Sequence, residues 1–439
     1  MRNTKSSNTT GFELKISKSS ISPLVIVLVS LVAVFIQVNY ISSPLDNVYS
    51  DMRGYVERGW KIVAGEPFIS FDAFYPPGMA YFFAIVFTVF GFSKGLPLAA
   101  FLQALMLAGS NLCFYFLGRE LFGSRKIAFF LALVFAVYPP IVTTSSFFVS
   151  EPLFIFLLLF SNYFFVRMLR RNTASHSSFF VLGLLLASAI LVKGQGLSLI
   201  PGLLAVALFP QFKHIRKFLL TFLCALALPI SFQFAINSAI LGKPSYFLAA
   251  NDSYNTYLGQ SRHKALGCLD RDKGYFFIFH NNNAAFHEYF NPPAIAPVSI
   301  LDREYFKNQT YKLWHDQPQQ QFFRSLESVF ELFSTQMEWP GRNLISHRPI
   351  LKQSKLLLYI ILIPLSFISI VFCLRRKRFT WQIIYLLLPM AGISAICFVT
   401  MGQPRYLLPF LYNAALLSTP ILSELLSSLR SLFLKVKKK

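Results

Sequence analysis

Ten apolar runs of about membrane-spanning length dominate this chain, and the basic residues between them restrict how it can be threaded through a bilayer. The runs cover residues 21–41, 96–118, 127–141, 151–168, 178–192, 195–209, 218–240, 355–373, 380–399 and 405–425. A helix of roughly 20 residues crosses the hydrocarbon core. Charged residues make up only 14% of the chain against 54% hydrophobic, where a soluble domain carries about 25% charge. The fold class is therefore an all-α polytopic membrane protein with about ten transmembrane helices.

A net charge of +22 would suggest nucleic acid in a soluble protein. Here the excess has another origin. More than half of the 41 Lys and Arg fall in short patches: Arg2 to Lys18, Arg119 to Lys126, Arg167 to Arg171, Lys213 to Lys217, Arg375 to Arg378 and Arg430 to Lys439. Cytoplasmic loops collect such residues, so no nucleic-acid partner is predicted. If every patch is cytoplasmic, the number of crossings between successive patches is even. Three apolar stretches lie between Lys18 and Arg119, so one of them does not cross. Residues 76–92 are the weakest, opening with Pro76 and Pro77, and are assigned as an interfacial or re-entrant helix. Between Arg171 and Lys213 parity requires two crossings, which meet near "VKGQG" and place Lys193 on the outer side.

The resulting organisation is a cytoplasmic tail (1–20), an N-terminal transmembrane module (21–240) with a first outer loop (42–95), an outer lobe (241–353), C-terminal transmembrane helices (354–425) and a basic cytoplasmic tail (426–439). The first loop is expected to carry interfacial helices. The lobe, rich in Asn, Tyr, His and Gln, is expected to be mixed irregular and helical, with helix around residues 303–336. The run at 21–41 follows a polar stretch and has no small-residue cleavage site, so it is predicted to be an anchor. Five cysteines, four of them inside apolar runs, make no disulfide scaffold. His263, His280, His287, His315 and His347 show no metal-ligand spacing.

Parity gathers four charged features on one side of the membrane: the cluster in "YSDMRGYVERGWKIVAGEP" that begins at Asp51, Glu151 in "SSFFVSEPLF", Lys193, and Arg405 in "GQPRYLLPFL". Ionisable groups at membrane depth need partners or a task. A carboxylate there can take a proton from an acceptor, while Lys and Arg can hold a phosphate whose lipid tail lies along the helices. Asp51 is the predicted general base, with Arg53 or Arg58 expected to hold its pKa low. Glu57, Arg58 and Lys61 are expected to form the polar face of a short surface helix. A transporter or flippase would also need such charges, but transporters carry internal repeats, and none is visible here.

The order of "SDMRGYVERGWKIVAGEPFISFDAFYPPGMAYFFAIVFTVFG", "FLGRELFGSRKIAFFLALVFAVYPP", "VSEPLFIFLLL", "LVKGQGLSLIPGL" and "QPRYLLPFLYNAAL" resembles the GT-C superfamily of membrane glycosyltransferases, within it the protein-mannosyltransferase-like and aminoarabinose-transferase-like branch. The resemblance implies transfer of a hexosyl or pentosyl group from a polyprenyl-phosphate sugar to a lipid, glycan or protein acceptor. It makes Asp51 the first-loop catalytic acid, Glu151 a second acid ahead of a span, and Lys193 and Arg405 with Tyr406 donor-phosphate contacts. Arg53 and Tyr55 join the substrate-binding set. Beyond the polyprenyl-phosphate sugar no cofactor is assigned, and a divalent metal is left open. The implied setting is a bacterial inner membrane, or the endoplasmic reticulum in a eukaryote. Two departures stand out: Phe74 and Tyr75 precede the proline pair where some relatives have an acidic and a basic residue, and Met52 follows Asp51 where many have a second acid.

Overall fold

The computed structural model describes residues 21–261, 265–270, 274–279, 294–296, 298–335, 347–377 and 380–436. In chain order its helices are α1 (Ile21–Ile36), α2 (Asp51–Ala64), α3 (Gly78–Phe122), α4 (Arg125–Ala136), α5 (Pro139–Val142), α6 (Glu151–Arg171), α7 (His176–Val192), α8 (Leu199–Leu208), α9 (Leu219–Leu241), α10 (Asp252–Gln260), α11 (Arg303–Asp316), α12 (Pro318–Glu331), α13 (Arg348–Arg375), α14 (Thr380–Val399) and α15 (Pro404–Val436). Among the described residues, seven helices are long and apolar enough to cross a membrane. An eighth crossing arises if α4 and the following turn, Pro139–Ser146, bent by 56° at the proline pair, count as one span. The remaining two expected spans are the shorter apolar helices His176–Val192 and Gly194–Leu208. The expected count of about ten is therefore approximate: every expected run is helical, but three are bent or short.

Inside the bundle α3 runs along α6, α7 along α9, and α13 along α15. Some of the polar groups buried within it pair across helices. Asn111 Nδ2 donates to Ser30 Oγ at 3.0 Å, and the Tyr412 hydroxyl donates to Asn111 Oδ1 at 3.1 Å, which ties α1, α3 and α15 together. At one end of the bundle Arg170 Nη2 donates to the Leu121 carbonyl at 3.0 Å, its guanidinium lies 5.6 Å from the Trp381 ring, and Arg376 pairs with Glu424 at 3.5 Å. Residues from three separate basic patches thus share that end.

The first loop explains the awkward stretch at 76–92. α3 is broken at Gly91, whose φ of 69° and ψ of 173° lie in a region essentially reserved for glycine. Its first half, before the break, packs under α2. At Gly59 an added Cβ would come within 2.5 Å of Phe83 Cβ, so the two helices touch backbone to side chain. Trp60, at 36% exposed, sits edge-on to Phe87 and Phe92, an amphipathic ring at the place where an interfacial helix anchors.

The lobe contains α10, α11 and α12 together with a three-stranded sheet of order β2-β1-β3, where β1 is Ala265–Asp270, β2 is Gly274–Phe279 and β3 is Ala294–Ala296. β1 pairs antiparallel with β2 and parallel with β3. α11 and α12 fall within the expected 303–336 region, but α10 and the sheet lie where irregular structure is expected. His263, His280 and His287 lie outside the described residues. An aromatic cluster of Phe74, Tyr254 and Phe306 joins the lobe to the first loop. Close backbone approaches join it to the segment between α14 and α15: a Cβ on Gly259 would lie 2.5 Å from the Thr400 carbonyl oxygen, and one on Gly402 would collide with that of Ser328.

Candidate active site

Three helices begin at one place. Asp51 is the first residue of α2, Glu151 the first of α6, and Arg405 the second of α15, while Lys193 is the turn residue that ends α7. Helix N-termini carry partial positive charge and attract anions. Local sequence sets each start. Pro152 and Pro404 occupy first-turn positions, where a missing N–H costs nothing. Before Asp51 the chain turns through Ser50 at φ 51° and ψ −129°. Such a backbone on a residue with a Cβ costs about 1–3 kcal/mol and persists only where its surroundings enforce it.

The four charged groups form one connected set. Lys193 Nζ donates to Glu151 Oε1 at 2.6 Å. Arg405 lies between the acids, with Nε 3.9 Å from Glu151 Oε1 and Nη2 3.9 Å from Asp51 Oδ2. The Arg405 Nε also donates to Gln403 Oε1 at 2.7 Å, which fixes the guanidinium plane. Tyr406 offers its ring to both cations, 5.0 Å from Lys193 Nζ and 5.6 Å from the Arg405 guanidinium. Side-chain exposure falls to 2% for Glu151, 11% for Lys193 and 14% for Arg405, while Asp51 retains 21%. Asp51 is thus the most open of the four.

Two expectations about the neighbours of Asp51 are corrected. Arg53, two positions on, faces a different side of the helix. It is exposed and pairs with Glu57 at 2.6 Å, so it is not brought to the other candidates. Arg58 is buried rather than part of a solvated face, and its Nη1 donates to the Tyr75 carbonyl at 3.2 Å. Lys61 is held by Asp72 at 3.0 Å. The cation opposite Asp51 is Arg405, from the far end of the sequence. Nor is the Asp51 pKa low: burial pushes it above the usual carboxylate value, against the opposing pull of Arg405 and of a hydrogen bond from Tyr75.

Tyr75 is the site residue that sequence reasoning did not single out. Its hydroxyl hydrogen-bonds the Asp51 carboxylate. The ring is wedged edge-on against Tyr55 at 5.5 Å and Phe74 at 4.9 Å, and Gly54 leaves room for it, since a Cβ there would lie 3.0 Å from Tyr75 Cε2. Tyr55 stands one turn after Asp51 on the same face of α2 and is buried. Tyr75 precedes Pro76-Pro77, and the turn carries it back over the helix that begins at Asp51, a contact that no spacing in the sequence marks.

A divalent metal does not fit these residues as arranged. The two carboxylates that could act as ligands are bridged by the Arg405 guanidinium, and one also holds the Lys193 ammonium. Among the described residues no group of three or more His, Cys, Asp or Glu stands in a metal-holding arrangement.

The fold is shared with a membrane oligosaccharyltransferase of solved structure. The archaeal oligosaccharyltransferase AglB from Archaeoglobus fulgidus, solved in complex with an inhibitory peptide and a dolichol-phosphate, matches 93% of this chain and 51% of its own, with a TM-score of 0.51 at 15% identity. The Archaeoglobus fulgidus oligosaccharyltransferase tethered with an acceptor peptide containing the NVT sequon matches 93% of this chain and 50% of its own, with a TM-score of 0.47 at 15% identity. The chain thus spans about half the length of the solved structures it matches. In sequence, residues 75–235 match the family model for dolichyl-phosphate-mannose-protein mannosyltransferase. That stretch includes Tyr75, Glu151 and Lys193; Asp51 and Arg405 join them through the geometry. No curated protein matches the chain by sequence.

Proposed function

We propose that this integral membrane protein transfers a hexosyl or pentosyl group from a polyprenyl-phosphate-linked donor to a lipid, glycan or protein acceptor on the outer face of a membrane, the plasma membrane in a bacterium. The observation that carries this reading is the meeting of a partly open carboxylate, Asp51, with a buried cation, Lys193, and a partly buried one, Arg405, where three helices begin. The dolichol-phosphate held by the AglB complex belongs to the same class of lipid phosphate and supports it.

In the proposed reaction the acceptor oxygen forms a bond to the anomeric carbon while its proton passes to an Asp51 oxygen. The bond from the anomeric carbon to the phosphate oxygen breaks, and its electron pair leaves with the polyprenyl phosphate. Negative charge grows on that phosphate, and Lys193 and Arg405 are fixed to receive it. Attack opposite the leaving phosphate inverts the anomeric centre. Glu151 holds both cations, Tyr406 flanks them, and Tyr55 and Tyr75 line the approach to Asp51.

The test supplies membranes containing the protein with a polyprenyl-phosphate sugar labelled in the sugar. Release of unglycosylated polyprenyl phosphate together with a labelled acceptor is expected. An intact donor, combined with vectorial movement of a solute or lipid in vesicles, would replace this reading with a transporter.

The pH profile carries a second prediction. Asp51 must be ionised to take a proton, and its pKa is raised by burial, so activity should fall on acidification at a pH above the ordinary carboxylate range. The Tyr75 hydrogen bond favours the ionised form. Tyr75→Phe should therefore raise the Asp51 pKa further and shift the acid limb of kcat to higher pH, with the rate on the alkaline side largely kept. An acid limb unmoved by Tyr75→Phe would separate Tyr75 from Asp51.

A further inference from the structure

α12 is amphipathic in an unusual sense. The residues it buries against the rest of the protein are polar: Gln321, Ser325 and Ser328. Gln260 Nε2 donates to Ser325 Oγ at 3.0 Å and lies 3.3 and 3.4 Å from the carbonyl oxygens of Phe398 and Val399. Its large apolar side chains point elsewhere. Phe322 is 47% exposed, Phe323 63% and Phe330 70%, and Phe333 in the following turn is 37% exposed.

At 3.6 residues per turn, Val329, Phe322, Leu326, Phe330 and Phe323 fall in one arc about 120° wide. Arg324, Gln320, Glu327 and Glu331 occupy the next arc, and the buried polar residues the third. Such a cluster of phenylalanines is costly to leave in water. The arc is also continuous with a lipid-facing surface. The Phe322 ring centre is 5.8 Å from that of Phe398, and Phe398 and Val399, the latter 56% exposed, are the last residues of the span Thr380–Val399.

We infer that α12 lies along the membrane surface at the active-site end, with its phenylalanine arc among the lipid acyl chains and its charged arc toward water. This is the arrangement of an interfacial helix, whose apolar face sinks about 5–10 Å into the headgroup and acyl boundary. The inference concerns the bilayer and stands independently of the transfer reaction. It gives the lobe a membrane footing beside residues 400–403, which lead into Arg405, and the close approach of Gly402 to Ser328 is the contact between them.

The test uses the full-length protein in nanodiscs of ordinary or dibrominated phosphatidylcholine. Phe323→Trp and Phe330→Trp are compared with Gln320→Trp, each as the difference from the four native tryptophans. The emission added at 323 and 330 should be quenched by bromine about threefold or more strongly than that added at 320, because only the apolar arc reaches the acyl chains. Absence of quenching at 323 and 330 would mean that protein or water covers the arc, and would overturn the inference. Equal quenching at all three positions would do the same, because the helix would then lack the predicted orientation.

Discussion

Asp51→Asn is expected to lower kcat for sugar transfer by roughly three orders of magnitude, the middle of the range for losing a general base. The donor KM should change far less. The amide keeps the shape of the carboxylate and can still accept the Tyr75 hydrogen bond, so what disappears is the capacity to take a proton. Folding should not suffer, since burial already disfavours the charged form of Asp51 and a neutral side chain relieves that cost. Arg405 keeps Gln403 and Glu151 as partners in the variant. Turnover with labelled donor, measured on protein shown by chromatography to be folded, is the check. Wild-type kcat in Asp51→Asn would remove Asp51 from the chemistry and leave it as a structural counter-ion of Arg405.

The convergence of Asp51, Glu151, Lys193 and Arg405 was legible before any coordinates, and the reason is physical. Apolar runs and basic patches are strong signals because the bilayer tolerates few alternatives. Counting crossings between patches then sorts the remaining charges by side. Counting says which residues share a face, but not which of them touch. Arg53 looked like the partner of Asp51 because it is near in sequence, yet a helix turns residues two apart away from each other. Arg405, 354 positions later, fills that place. Arg58 was read as solvated from its charge, whereas the turn through residues 65–77 folds back over it and takes its guanidinium to the Tyr75 carbonyl.

Tyr75 and the sheet illustrate two further limits. Tyr75 reaches Asp51 only through the aromatic turn before the proline pair, a tertiary contact with no periodic signature. The strands at Ala265–Asp270 and Gly274–Phe279 did carry a signal, since an aromatic run opening on Gly274 follows another strand-length segment after three residues. The surrounding Asn-rich, polar composition masks that hairpin pattern. The stretch at 76–92, expected not to span, and the run at 96–118 form one helix, α3, broken at Gly91.

Breaking the Glu151–Lys193 pair should have the largest effect on stability. The two side chains are 2.6 Å apart and keep 2% and 11% exposure. Removing one member of a buried ion pair typically costs roughly 3–5 kcal/mol, because the other charge is left without compensation. Glu151→Gln should be the worse single change. It leaves Lys193 and Arg405 facing only Asp51, whereas in Lys193→Met the Glu151 carboxylate still has Arg405 at 3.9 Å and Ser150 at 3.4 Å. The double variant Glu151→Gln/Lys193→Met removes both charges, so thermal unfolding in detergent should show much of the lost stability restored. A double variant whose loss equals the sum of the single losses would mean that the two residues are not coupled. Transfer activity should follow a different pattern. The double variant regains stability without regaining an ammonium for the donor phosphate, so its donor KM should stay raised. Recovery of stability without recovery of donor binding is the outcome that separates a pair kept for catalysis from one kept for folding.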